Sequence, residues 1–340
     1  MSLIIGVNMS ENLNERYKKI IGFLHAMSLP YCNELGIQID IEVPKNDELN
    51  AGICHVKDNV YLIKIYPSCL CLDYKIQDIT RRYTSDDLQF FGRAKNLGVF
   101  ERFEDDTYRE DLNNLFATII LLHIFYHECG HITAKHVDVS GGMYEEYDAT
   151  RIGSYELQEH EMVADWLSTK DVFCSMFYAI VQNDNYDSKE ILAILKQLAV
   201  LYWLSLTIEF QIFDSNHMDE IDDFSTLTHP HPVVRLYYNK EAMREAMADI
   251  LITYGLDDDQ AETGVNLIIK EIYILIQSFL GITNTSIVIK ENDFKIIDYY
   301  ITLRDFPYKN DTKENTYLHL MPLSDEYRKI CEEYRVFQEK

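Results

Sequence analysis

The hydrophobic pattern divides the chain into a mixed first third and a mainly helical remainder. Before about residue 110, one helical pattern is followed by alternating or apolar runs that are typical of strands. The predicted helix covers residues 11–27, and the predicted strands cover residues 37–43, 51–55 and 60–66. From residue 108 to residue 136 the apolar spacing is helical and no proline interrupts it. The first part is therefore predicted to be α+β, and the second to begin with a long helix.

Four further helical patterns follow a break that contains Ser140, Gly141 and Gly142. They run from 154 to beyond 177, from 188 to about 213, from 230–232 to near 255, and from 260 to 280. Ser188 is expected to cap the second of them. Beyond residue 281 only residues 286–290 have the pattern of a strand.

These elements predict an α+β protein with a mainly helical core and a small N-terminal β-sheet. Three parts follow from them. Residues 1–107 would pack on the long helix, residues 108–255 would form the helical core, and residues 256–340 would form a C-terminal helix and a mixed segment that could belong to the same domain. A chain of 340 residues can bury a core without disulfides or a structural metal.

Charge and cysteine usage restrict the class of partner. The chain has 31 basic and 56 acidic residues and a formal net charge of −25. This charge repels phosphate backbones and anionic lipid surfaces, so neither nucleic acid nor a membrane is expected as a partner. Seven cysteines without regular spacing favour reduced thiols in a cytoplasmic protein. The N-terminus has only residues 3–7 as an apolar stretch and no basic segment before it, so no secretory signal is expected. The longest apolar runs, 115–126 and 198–208, are shorter than a membrane span of about 20 residues and predict buried helices.

The long helix carries an H-E-x-x-H pattern formed by His127, Glu128 and His131. The spacing of four residues places both imidazoles on one helical face, where they can share one Zn²⁺, with Glu128 beside them. Bound zinc lowers the pKa of water to about 7, so a carboxylate can accept its proton. Gly130 lies between the two histidines and costs about 1 kcal/mol relative to alanine within a helix. Its presence suggests that another backbone passes close by.

A catalytic zinc site needs a third protein ligand and an open position. The longer H-E-x-x-H-x-x-G-x-x-H pattern is absent, because Ala134 and Val137 occupy the positions that require glycine and histidine. Glu161 follows His131 by 161 − 131 = 30 residues, on the next predicted helix. Asp165, one turn later, could hold a ligand histidine by its free N–H.

Three segments of the chain together resemble the motifs of a known peptidase family. YHECGHI (126–132) with His136 after it, QEHEMVAD (158–165) and THPHPVVRLY (228–237) resemble, in the same order, the motifs of the bacterial phage-exclusion peptidase Lit and its relatives. They resemble those of the HtpX and CAAX-processing zinc peptidases more distantly. The resemblance covers roughly residues 110–240 and departs from the Lit pattern at Val163, where Lit-type proteins have a glutamate.

The resemblance implies a gluzincin, which is a zincin-like metallopeptidase with a glutamate as its third zinc ligand. It implies that zinc is bound by His127, His131 and Glu161, with Glu128 as general base, and it implies no particular substrate.

The third motif adds two candidate catalytic residues, His229 and Arg235. Arg235 lies one turn into a helix that begins at a proline, where it either anchors a carboxylate or contacts the substrate. His229 and His231 could each polarise a tetrahedral intermediate or be ordinary loop histidines.

The remaining histidines near the motifs are not expected to bind the metal. His123 and His160 are expected to be packing or surface residues. His136 is expected near the helix terminus rather than at the metal.

These observations predict a zinc endopeptidase that hydrolyses a cytoplasmic protein or peptide, and the resemblance to Lit-type peptidases implies a role in phage exclusion or in the cleavage of a host protein. Two alternatives stay open: a regulatory protease that cleaves a repressor, as in the ImmA and IrrE group, and a catalytically silent interaction module. Neither the identity of the substrate nor the oligomeric state follows from the sequence. Because extended peptides commonly pair with an exposed strand, residues 60–66 are predicted to be the edge strand that binds the substrate.

Overall fold

The computed structural model describes residues 13–81, 106–137, 144–145, 155–181, 186–213, 229–230 and 232–283. Within these ranges the fold is mostly helical with a small sheet, so the predicted α+β class is confirmed. The elements, in chain order, are α1 (Leu13–Leu35), β1 (Gln38–Glu42), β2 (Ala51–Lys57), β3 (Val60–Ile65), α2 (Pro67–Leu70), α3 (Leu72–Arg81), α4 (Asp106–Thr133), β4 (Tyr144–Glu145), α5 (Tyr155–Val181), α6 (Ser188–Phe213), α7 (Pro232–Thr253) and α8 (Asp258–Thr283). The predicted strand at 286–290 lies outside the described residues, and the division into three parts stays a prediction.

Helix α1 extends eight residues beyond its predicted end at residue 27 and continues through Pro30. A proline within a helix removes one hydrogen bond and normally ends the helix. Here contacts with the rest of the fold compensate, because Tyr31 donates a hydrogen bond to Asp171 of α5 while Cys32 and Leu35 pack against the core. The predicted end of α1 at residue 27 is therefore wrong, because contacts with distant parts of the fold extend the helix.

The cap of α6 also differs from the prediction. Asp187 Oδ1 accepts hydrogen bonds from the backbone N–H groups of Lys189 and Glu190, at 2.8 and 2.9 Å, and Glu190 accepts one from the Asp187 N–H at 2.8 Å. This reciprocal arrangement is a capping box with Asp187, not Ser188, as the cap.

The sheet has the strand order β1-β3-β2-β4. β2 and β3 form an antiparallel hairpin whose turn contains Asp58 at φ 48°, and β1 runs parallel to β3 on its other side. Since β3 is paired on both sides, the prediction that residues 60–66 are an exposed edge strand is wrong. Alternation of apolar residues marks a half-buried strand, but it does not reveal which strands become its neighbours.

Helix α4 is central to the described part of the fold. It packs against α5 on one side and α6 on another, and it also contacts β2, β3 and α3. From residue 118 to residue 134 every side chain is buried. Such a helix has no amphipathic stripe, because neighbouring elements cover all its faces. Helix α7 packs on α5 and α6, and α8 packs on α6 and α7.

Two helical segments are long and apolar enough to cross a membrane, Glu110–Thr133 and Ser188–Phe213. In their apolar windows 89% and 72% of the residues are buried inside the fold. Core helices of globular domains have the same length and composition, so this is only weak evidence of a membrane span. The runs at 115–126 and 198–208 are mostly buried, as predicted.

Candidate metal centre

The two helices that carry the first two motifs meet at Gly130 of α4. A Cβ atom added to Gly130 would lie 2.9 Å from the Cα atom and 3.0 Å from the carbonyl oxygen of Ala164 in α5. Real Cβ atoms do not approach a backbone this closely, so only glycine fits without displacing a helix. The expectation that another backbone passes beside Gly130 is confirmed. This contact allows side chains of both helices to reach a common point.

His127, His131 and Glu161 converge at that point, and all three are buried. The Nε2 atom of His127 lies 3.1 Å from Nε2 of His131 and 3.0 Å from Oε2 of Glu161, and His131 Nε2 lies 3.7 Å from Glu161 Oε1. Bonds of about 2.0–2.2 Å to a tetrahedral zinc ion place its ligand atoms roughly 3.3–3.5 Å apart. The three side chains therefore form a group that could hold a metal ion of this size.

The protonation of two of these residues suits a metal ligand. Burial raises the pKa of Glu161, but the nearby His229, His131 and His127 outweigh it and hold the pKa well below its usual range. Burial lowers the pKa of His131. Glu161 is therefore anionic and His131 is neutral, which are the forms that bind metals.

His127 is held on its other side by a carboxylate. Its Nδ1 donates to Asp165 Oδ1 at 2.8 Å, which leaves Nε2 directed at His131 and Glu161. Burial disfavours the charged imidazole, yet the hydrogen bonds to Asp165 and Glu161 outweigh it and raise the pKa of His127 well above its usual range. A metal ion would therefore displace a proton from His127.

Arg235 at the start of α7 anchors Asp165. Its Nε donates to Asp165 Oδ2 at 2.8 Å and its Nη2 to Oδ1 at 2.7 Å, while the guanidinium lies over the ring of Phe210 at 4.7 Å. Burial acts against the Asp165 carboxylate, but Arg235 and then His127 hold its pKa far below the usual range. Of the two placements weighed for Arg235, these contacts are those of a carboxylate anchor. Its catalytic role stays a prediction.

His229 and Glu128 complete the set of predicted residues. His229 Nε2 lies 3.4 Å from Glu161 Oε2, and 15% of its side chain is exposed, more than in any of the three candidate ligands. Burial lowers the pKa of His229 to about 4, so the ring is neutral near pH 7. Glu128 is buried on α4 next to His127. His231 lies outside the described residues.

The sequence did not predict three contacts made by His136 and His123. His136 Nδ1 lies 2.9 Å from His131 Nδ1, and the His136 ring stacks on His160 with centroids 3.9 Å apart. His123, expected to be a packing or surface residue, is fully buried and forms a 2.9 Å contact with Glu209 of α6. The spacing of His131 and His136 would have been informative only if the end of α4 at Thr133 were known. Glu209 lies in no recognisable motif.

No family model, no curated protein and no solved structure matches this chain. The resemblance of three segments to Lit-type peptidases therefore stays a prediction. The candidate metal centre is supported by the geometry described above.

Proposed function

We propose that this protein is a zinc-dependent endopeptidase whose metal is held by His127, His131 and Glu161. The observation that carries the proposal is the convergence of these three buried side chains, whose ligand atoms lie 3.0, 3.1 and 3.7 Å apart and so could share one metal ion. Two imidazoles and one carboxylate are a donor set of catalytic zinc, and three protein ligands leave a position open for water or substrate.

When bound, zinc would supply Lewis-acid activation of water and of the scissile carbonyl. Glu128 directly follows the first ligand, and we assign it as the general base that accepts a proton from water and passes it to the leaving amine. His229, beside Glu161, can donate a hydrogen bond to the oxygen that becomes negatively charged. Arg235 acts through Asp165, which fixes the tautomer and orientation of His127.

The motif resemblance supports a peptide bond as the substrate, in a cytoplasmic role such as phage exclusion or cleavage of a host protein. The net charge of −25 supports a protein or peptide rather than nucleic acid or a membrane surface as the partner.

The metal part of the proposal is tested by elemental analysis of purified protein. One zinc ion per chain is expected in wild type, and loss of zinc is expected in His127→Ala, His131→Ala and Glu161→Ala, because two remaining ligands form an incomplete site. Stoichiometric zinc in Glu161→Ala would show that another residue is the third ligand.

The catalytic part is tested by Glu128→Gln in a cleavage assay on a peptide library. Zinc should remain bound, while turnover should fall about 100-fold or more because the base is lost. Glu110→Gln, the same substitution at an exposed residue of α4, is the matched control and should leave turnover unchanged. Full activity of Glu128→Gln would rule out Glu128 as the base. A wild-type protein that binds zinc but cleaves neither the library nor a cell extract would be better described as the interaction module.

A further inference from the structure

The chain makes a tight turn at residues 134–135, just after the second candidate ligand. Helix α4 ends at Thr133, where the Ala134 N–H still bonds to the Gly130 carbonyl and the Lys135 N–H to the Ile132 carbonyl. Lys135 has φ 58°, a left-handed conformation that residues other than glycine rarely adopt. Such strain persists only where the surrounding structure requires it. This turn brings the next residue, His136, back against the last turn of the helix.

The returning His136 meets the ligand His131 ring to ring. Their Nδ1 atoms are 2.9 Å apart and both side chains are buried. Two ring nitrogens at this distance share one proton, so one ring donates and the other accepts. The Nε2 of His131 faces His127 and Glu161, and an Nε2 that binds a metal must keep its lone pair. His131 is therefore the donor at Nδ1, and His136 is the acceptor.

A third histidine fixes the plane of the accepting ring. His160 stacks on His136 with centroids 3.9 Å apart and only 13° between the ring planes. His160 directly precedes the ligand Glu161 on α5. The stack therefore joins the segment after α4 to the helix that supplies the third ligand, and it sets the direction of the His136 lone pair.

His136 cannot itself be a ligand through the same atom. Its Nδ1 is engaged with Nδ1 of His131, whereas the ligand atoms face Nε2 on the other side of the His131 ring. Its contact is instead the counterpart of the one between His127 and Asp165. His127 thus donates its second N–H group to a carboxylate, whereas His131 donates its second N–H group to another imidazole.

We propose that His136 is a positioning residue that fixes the tautomer and orientation of His131 for metal binding, with His160 holding His136 in place. This inference rests on the metal centre of the proposed function and adds a residue to which the sequence reasoning gave no role at the metal.

The test compares zinc affinity, measured by competition with a chelating dye, in full-length wild type and two variants. His136→Ala removes the acceptor and should weaken zinc affinity about 10- to 100-fold. His136→Asn keeps an acceptor, because its amide oxygen takes the place of the imidazole Nδ1, and should retain affinity close to wild type. The visible spectrum of the Co²⁺-loaded protein should change in His136→Ala and return in His136→Asn.

The role of His160 is tested with a matched pair in the same assay. His160→Phe keeps a stacked ring and should retain the wild-type affinity, whereas His160→Ala removes the ring and should weaken it. Circular dichroism of each variant checks that the helices are formed. If His136→Ala does not fold, His136→Asn and the His160 pair decide the question.

Three results would overturn the inference, and they are distinguishable. Equal zinc affinity and an unchanged Co²⁺ spectrum in His136→Ala would remove His136 from the metal centre. Equal losses in folded His136→Ala and His136→Asn would reduce its role to packing. A folded wild-type protein that binds no zinc would overturn the metal centre and the proposed function with it.

Discussion

Asp165 is one residue with two structural tasks. It accepts a hydrogen bond from His127 and binds Arg235 through both carboxylate oxygens, and the Asp165 side chain is fully buried. A buried pair of this kind offsets the desolvation of its charges only while both partners are present. The sequence predicted that Asp165 supports a ligand and offered a carboxylate anchor as one role of Arg235, but it did not indicate that these two residues pair with each other.

Replacement of Asp165 should therefore affect both metal binding and folding. We expect Asp165→Ala to weaken zinc affinity about 10- to 100-fold and to lower the free energy of unfolding by about 3–5 kcal/mol, since Arg235 is left buried without its carboxylate. Dye competition and urea denaturation measure the two effects. Asp249→Ala, which removes a carboxylate from the partly exposed contact with Lys170, is the control and should change stability by less than about 1 kcal/mol. Equal stability losses in the two variants would show that the Asp165 pair contributes little to folding.

Asp171 predicts a pH dependence that is independent of the metal. Burial raises its pKa from 3.8 to about 6, although Tyr31 donates a hydrogen bond to it. Between these values the folded state retains a proton that the unfolded state has lost. The free energy of unfolding therefore falls as the pH rises through this window, by at most about 3 kcal/mol.

The corresponding variant is Asp171→Asn, which cannot ionise. It should exceed wild type in stability above pH 6, and this difference should vanish below about pH 4. Urea denaturation between pH 4 and pH 8 measures the curves, with Asp78→Asn at an exposed position of α3 as the control. A constant difference between Asp171→Asn and wild type across this range would be incompatible with the raised pKa.

At the scale of elements, α4 and α5 form the unit that carries the three candidate metal ligands. Their separation is set by backbone contact between Gly130 and Ala164 rather than by side chains that could adapt. Because packed interiors are dense, a shift of one helix must move its ligands as well. The distance between Glu161 and the two histidines therefore depends on the absence of a side chain at residue 130.

Gly130→Ala tests this dependence. The added Cβ would meet the Ala164 backbone at 2.9 Å, so the helices must separate, and we expect a loss of about 1–3 kcal/mol in stability together with weaker zinc binding. The matched control is Gly22→Ala in α1, where nothing lies within 4 Å of the added Cβ and helix propensity should add about 1 kcal/mol. Unchanged zinc affinity in Gly130→Ala would show that the ligands tolerate a wider separation.

Local patterns predicted the elements better than the contacts between them. The strands and long helices were predictable because apolar spacing reflects which side of each element is buried. The central position of β3 and the continuation of α1 through Pro30 depend on partners distant in the chain, so they left no local signal. At the site, His127, His131 and Glu161 could be grouped by spacing. His136 could not, because its position depends on the left-handed turn at Lys135.

At the scale of the whole molecule, a metal ion bound by α4 and α5 would act as a crosslink between them. A ligand that binds only the folded state stabilises it by about 2.7 kcal/mol at a free concentration 100 times its dissociation constant. Every element in contact with α4 shares this effect if unfolding is cooperative.

Removal of the metal should therefore lower the melting temperature of the full chain. We expect EDTA-treated protein to melt at a lower temperature than protein with excess zinc, with recovery after zinc is restored. His127→Ala is the control and should show no zinc-dependent shift. Identical melting temperatures of metal-free and zinc-supplied wild type would contradict a metal crosslink. Scanning calorimetry provides the measurement.

The order of the supporting residues along the chain has a consequence for biosynthesis. Arg235, which anchors Asp165 and through it His127, follows His127 by 235 − 127 = 108 residues. A ribosome that adds about 5–20 residues per second needs roughly 5–20 s to cover that interval. During this time His127 has already left the peptidyl-transferase centre. Arg235, the residue furthest along the chain that supports it, has not yet been translated. A metal ion bound by His127, His131 and Glu161 would therefore gain this furthest support only after residue 235 has been translated.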